Sequence, residues 1–131
     1  YFTRKRAELI VCDIHRVLRI GGVVRVGVQD LHSIAEKYIN RDEAFFFQKV
    51  PDGCERFEGV TFADKFNAWF YGYVTNKSRC KYMYDYETLA LVFEMAGFET
   101  IERKCFHESA LYEIDLIDNR PDQMFFLEAV K

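Results

Sequence analysis

The sequence predicts an α/β fold, and three observations carry that prediction. A helical apolar period stops at a double glycine and is followed at once by a β-branched run. An aspartate then opens a second helical period. Later in the chain two extended segments differ sharply in polarity, one loaded with charge and the other almost wholly apolar.

From Arg4 to Ile20, Ala7, Ile10, Ile14, Val17 and Leu18 recur at helical spacing. Gly21-Gly22 then stands where a left-handed C-terminal cap is needed. Val23 to Val28 is nearly continuous in β-branched residues, interrupted only by Arg25 and Gly27, which suits a strand covered on both faces. Asp30 can cap a helix in which Leu31, Ile34, Ala35 and Tyr38 share a face. Residues 41 to 60, with Phe45-Phe46-Phe47 and Pro51-Asp52-Gly53, lack a sustained period and read as an inserted loop with a turn at Pro51. Thr61 with Asp64 forms a capping box for a helix lined by Phe62, Phe66, Trp69, Phe70 and Tyr73. Asp85 caps a further helix, with Leu89, Val92, Phe93 and Ala96 inward and Gly97 closing it.

Phe98 to Phe106 alternates but carries Glu99, Glu102, Arg103 and Lys104, as an edge strand does to deter pairing with other chains. Met124 to Val130 has the apolar character of an interior strand. That contrast predicts the order: the last strand lies between the other two and runs antiparallel to the second. The strand at Val23 to Val28 and the one at Phe98 to Phe106 then form a parallel pair flanking it, with helices on the sheet.

Composition narrows the function classes. The 131 residues fit a single domain, and 50% hydrophobic with 30% charged residues excludes disorder and low-complexity linkers. A net charge of −3 argues against nucleic acid as a partner. No apolar run approaches the roughly 18 residues of a membrane span. Cys12, Cys54, Cys80 and Cys105 are too far apart for zinc spacing and read as reduced thiols of a cytoplasmic protein. Aromatics are the excess, 17% of the chain, so part of that ring surface is expected to face a ligand or another protein. The chain opens on Tyr1-Phe2 rather than Met, as a processed product or a piece of a longer reading frame does.

The segment His15-Arg16-Val17-Leu18-Arg19-Ile20-Gly21-Gly22-Val23-Val24-Arg25-Val26, with Val28-Gln29-Asp30-Leu31 after it, resembles the C-terminal half of S-adenosylmethionine-dependent methyltransferases. Tyr82-Met83-Tyr84-Asp85-Tyr86-Glu87-Thr88-Leu89 and Ala96-Gly97-Phe98-Glu99 extend the resemblance, which is strongest to small bacterial methyltransferase-like proteins. It covers most of the chain except residues 41 to 60. Ile20 and Gln29 stand where that family usually has proline, and residues 73 to 80 lack its Gly-His. The resemblance implies a partial Rossmann-like methyltransferase sheet whose last strand is inserted antiparallel, the same order that polarity predicts.

It also implies an absence. In such enzymes a glycine-rich turn after the first strand approaches the cofactor, whereas Gly21-Gly22 follows a helix and precedes a strand. No cofactor-binding residue is therefore assigned, and S-adenosylmethionine is not expected to bind this chain alone. The expected activity is methyl transfer to an unidentified small-molecule or glycan acceptor. The alternative is a non-catalytic truncated fold that covers the apolar edge of its Val23 to Val28 strand by homo-oligomerising.

Candidate site residues cluster at strand ends and in tyrosine-rich segments. Asp30 and His107 are the candidate catalytic bases, although a helix cap and a surface histidine are their plainer readings. His107 and Glu108, adjacent on a strand, would point to opposite faces and form no dyad. Tyr71, Tyr82 and Tyr84 are candidates for lining an acceptor pocket, since tyrosine combines an apolar face with a polar tip. His15 and His32 read as solvated. No metal is expected: Asp115, Asp118 and Asp122 are conceivable cation ligands, but Asn119-Arg120-Pro121 among them reads as a turn.

Overall fold

The computed structural model describes residues 2–71 and 80–131. The chain divides into two compact units, one formed by Tyr1–Phe2 and His32–Tyr82, the other by Thr3–Leu31 and Met83–Lys131. The second unit holds the sheet. Helix α1 (Arg4–Val17) leads into strand β1 (Val23–Gln29), after which helix α2 (Leu31–Ile39) begins. The first unit continues through short helix α3 (Glu43–Phe46) and α4 (Phe62–Tyr71). The chain returns to the second unit for α5 (Tyr86–Ala96), β2 (Thr100–Lys104), the four-residue α6 (Ile114–Ile117) and β3 (Met124–Val130).

The three strands lie in the order β1-β3-β2, with β3 in the middle as its apolar composition predicts. Every pairing in this sheet is antiparallel: Val26 faces Leu127 on one side of β3, and Arg103 faces Leu127 on the other. The expected parallel pair is therefore not a pairing. β1 and β2 share a direction only because each runs against β3. The fold is mixed α/β with a small antiparallel sheet.

Strand alternation divides the sheet into two unlike faces. On one, the register aligns Val24, Val26 and Val28 with Ala129, Leu127 and Phe125. Helix α5 covers that face, its Leu89, Val92 and Phe93 buried and the Tyr86 ring 6.2 Å from Phe125. α1 in turn packs on α5. On the opposite face Arg25 aligns with Glu128, and Phe126 lies against Gly27, where an added Cβ would meet the ring at 3.0 Å.

Several element ends behave as their residues dictate. Asp85 accepts from the Thr88 amide at 2.8 Å, and Gly97 closes α5 at φ 98°, where a Cβ would be strained. Thr61 and Asp64 cap α4 reciprocally: the Thr61 hydroxyl accepts from the Asp64 amide, and the Asp64 carboxylate accepts from the Thr61 and Val60 amides. The bonds at Thr61 and Val60 also hold the Asp64 carboxyl below its ordinary value.

Three expectations are corrected. α1 stops at Val17, not Ile20, because Leu18 turns to extended backbone and the glycines serve another contact. Gly21 donates to the Lys131 carbonyl at 2.7 Å, Lys131 donates back to Gly22 at 3.1 Å, and the Lys131 ammonium takes the Leu18 carbonyl at 2.8 Å. Lys131, just past β3, thus holds the chain that leaves the helix. β1 is half-buried rather than covered on both faces, since its outer edge has no partner strand among the described residues. β2 ends at Lys104, so His107 and Glu108 are not on a strand.

Rings dominate the first unit. Phe45, Phe46 and Phe57 are buried together, with centroids 5.1 to 6.3 Å apart. The inserted loop is more structured than expected: Asp42 caps α3 by accepting from the Phe45 amide, and Lys49 bridges Glu55 across the turn at Pro51. In α4 Trp69 is buried, Phe62, Phe66 and Phe70 are half-buried, and the buried charge is Lys65; Tyr73 lies outside the described residues. The Lys65 ammonium donates to Glu55 and to the Phe57 carbonyl, 4.7 Å from the Phe47 ring centroid.

Candidate functional site

Two arginines lie beside β3 on opposite faces of the sheet, and their surroundings differ. Arg25 is the lone charge in β1 and Glu128 the lone charge in β3, and the register sets them opposite each other. The segment after β2 brings Asp118 over them. The Arg25 Nε and Nη2 donate to Asp118 at 2.9 and 2.7 Å, Nη1 donates to Glu128 at 2.9 Å, and the Glu108 and Cys105 carbonyls accept at 2.8 and 2.9 Å. All five N–H groups of the guanidinium are thereby used. Ser109 donates to the same Glu128 oxygen, and the His107 amide donates to Asp118 at 2.8 Å. With Arg25 and Asp118 side chains each 1% exposed, this is a closed structural cluster that fastens residues 105–118 to the sheet.

Burial alone would raise the Asp118 carboxyl, but the bonds from Arg25 and His107 more than reverse it, leaving it below its ordinary value. Arg25 is likewise pushed down by burial and raised overall by Asp118 and Glu128. The conceivable cation ligand in the acidic loop thus has a cation, the Arg25 guanidinium. Among the described residues no group of three or more His, Cys, Asp or Glu side chains is arranged to hold a metal ion.

The other arginine stands at the carboxyl end of β1. Asp30 is buried there, its amide bonded to the Gln123 carbonyl at 2.9 Å and its backbone bridged in parallel to Tyr84. Arg103 reaches across β3 so that Nη2 donates to the Asp30 carboxylate at 3.0 Å. Its guanidinium carbon lies 5.6 Å from the Phe125 centroid and 6.0 Å from that of Tyr86.

The remaining candidates are dispersed. His107 has φ 60°, stacks on Phe106 and pairs through Nδ1 with Asp115 at 3.1 Å. Glu108 instead accepts from the Cys105 amide, which holds its carboxyl below its ordinary value. Tyr71 is exposed at the end of α4 with its ring against Phe70, Tyr82 is half-buried, and Tyr84 is buried. His15 is not solvated: it packs edge-on against Phe98 at 4.9 Å. His32 is exposed beside Glu36.

Sequence reasoning missed Arg25, Arg103 and Glu128 as site residues and named Asp118 only as a conceivable ligand of a metal cation. A signal existed for one pair: single opposite charges, Arg25 and Glu128, interrupt two otherwise apolar strands predicted to be neighbours.

No family model matches the chain, and no curated protein or solved structure matches it. No described helix is long and apolar enough to cross a membrane.

Proposed function

We infer that the chain is the substrate-side half of an S-adenosylmethionine-dependent methyltransferase-like fold. One observation carries the reading: the last strand, β3, is inserted antiparallel between two strands that run in a common direction, and among the described residues β1 has no partner strand on its outer edge. That is the strand order the sequence resemblance implies. β1 passes through Asp30 directly into α2, without glycine, so these residues do not fit the methyl donor. The part left to this chain is to build the acceptor side at the carboxyl end of β1, where open α/β sheets bind ligands. Calorimetric titration of S-adenosylmethionine into the protein carrying whatever sequence precedes Tyr1 tests the reading. Saturable binding supports it, and none overturns it.

A second reading, a non-catalytic association module, is favoured by the same edge. The one charge in β1, Arg25, is turned into the sheet and consumed, so it cannot repel an incoming strand. Light scattering of the chain at tens of micromolar tests this reading. A dimer supports it, and a monomer overturns it.

A further inference from the structure

We propose that Arg103 is an oxyanion-binding residue that receives a carboxylate or phosphate group at the carboxyl end of β1. The two arginines contrast in how their donors are used. Arg25 spends all five N–H groups inside the protein, whereas among the described residues Arg103 donates only to Asp30, through Nη2. Its side chain is 56% exposed. The rest of a planar fork of donors, matched to the geometry of carboxylate and phosphate, has no acceptor among the described residues.

A half-exposed arginine is ordinarily mobile and weak as a receptor, because its rotamer freedom is lost on binding. Arg103 is held instead. Its backbone sits in the β2–β3 ladder opposite Leu127, and its guanidinium is anchored by an Asp30 side chain only 7% exposed. The rings of Phe125 and Tyr86 flank it. Asp30 is fixed in turn by backbone bonds on both sides, from its own amide to Gln123 and from the Leu31 amide to Tyr84. The group is therefore positioned before any ligand arrives.

Charges nearby leave the fork to a ligand. Glu102 and Lys104, its neighbours on β2, point to the opposite face and pair with each other at 2.5 Å. Asp30 is the one carboxylate among the described residues that accepts from Arg103.

The test is a nuclear magnetic resonance titration of the 131-residue chain with sodium phosphate and, separately, sodium acetate, at constant ionic strength set with chloride. The expected result is saturable shifts at the Arg103 side-chain Nε and at Tyr86 and Phe125 in at least one arm. Saturation with phosphate alone assigns a phosphate-bearing ligand, and saturation with acetate assigns a carboxylate. Arg103→Gln is expected to abolish the response; because it also takes an ion-pair partner from the buried Asp30 carboxylate, the dispersion of its spectrum is read first, and Arg103→Lys, which keeps that charge, tests the site where Arg103→Gln does not fold. Arg103→Lys, which keeps charge but loses the fork, is expected to weaken it by about tenfold. No saturable shift in either arm, or an unchanged response in both variants, overturns the proposal. No methyl donor is present in the titration, so its outcome is independent of whether the methyltransferase reading stands.

Discussion

Arg25 and Asp118 stand 93 positions apart in the sequence and bind each other through two hydrogen bonds, of 2.9 and 2.7 Å, with both side chains withdrawn from water. A buried ion pair adds little stability over a well-packed apolar pair, because desolvation consumes much of the Coulomb energy. Its consequence is geometric. The pair admits one path for residues 105–118, the path on which the Cys105 and Glu108 carbonyls reach the remaining guanidinium protons.

Removing either partner breaks a buried pair: Arg25→Met takes the counter-ion from both Asp118 and Glu128, and Asp118→Leu leaves the buried guanidinium with Glu128 alone. Arg25→Met and Asp118→Leu are each expected to destabilise the protein by about 3–5 kcal/mol, read from urea unfolding. The double variant is expected to cost markedly less than the sum. An additive double variant would mean that the two side chains do not act as a unit.

Stability should also fall in acid, with a sign set by the carboxylates. Asp118, Glu108 and Asp64 all have folded-state values below the ordinary carboxylate range. A depressed folded value contributes stability above the unfolded value, about 4, and that contribution is lost as pH falls through the folded value. The urea midpoint is expected to hold steady near neutral pH and to drop below about pH 4. In Asp118→Asn the drop should be shallower, because one of the three groups no longer titrates.

What the sequence made legible were positions where one residue type has a local duty. Asp85 and Gly97 bound α5, Thr61 and Asp64 open α4, and the apolar run at Met124 to Val130 takes the centre of the sheet; each follows from neighbours a few residues away. What stayed hidden depends on distant partners. The segment after α1 is held by Lys131, and Asp118 is paired with a strand at the far end of the chain. The catalytic reading of His107 assumed that β2 runs on to Phe106, whereas the backbone leaves the strand at Lys104 to deliver the Cys105 carbonyl to Arg25. Of the residues at the Asp30–Arg103 pair, the sequence singled out Asp30 alone; Arg103 looked like one more edge-strand charge.

The capping box predicts a small, local loss. Thr61→Ala removes the acceptor of the Asp64 amide in the first turn of α4 and is expected to cost about 1 kcal/mol. Thr61→Ser keeps the hydroxyl and should stay within about 0.5 kcal/mol of the parent in the same urea measurement. Equal losses in the two would show that the methyl group, not the hydrogen bond, carries the effect.

The Lys65–Glu55 pair gives a prediction that runs against exposure. Glu55 is 46% exposed and Lys65 is fully buried, so truncating the lysine looks the more damaging change. Charge reverses that order. In Lys65→Met the buried charge disappears, an apolar chain of similar length fills the space beside Phe47, and Glu55 returns to water, an expected cost of about 1–2 kcal/mol. In Glu55→Ala the ammonium stays buried with the Phe57 carbonyl and a ring face but without its counter-ion, an expected cost of about 3 kcal/mol. Urea unfolding of the two variants side by side decides the matter: a larger loss in Lys65→Met would mean that the lysine stem, rather than its paired charge, holds α4 against the phenylalanine cluster.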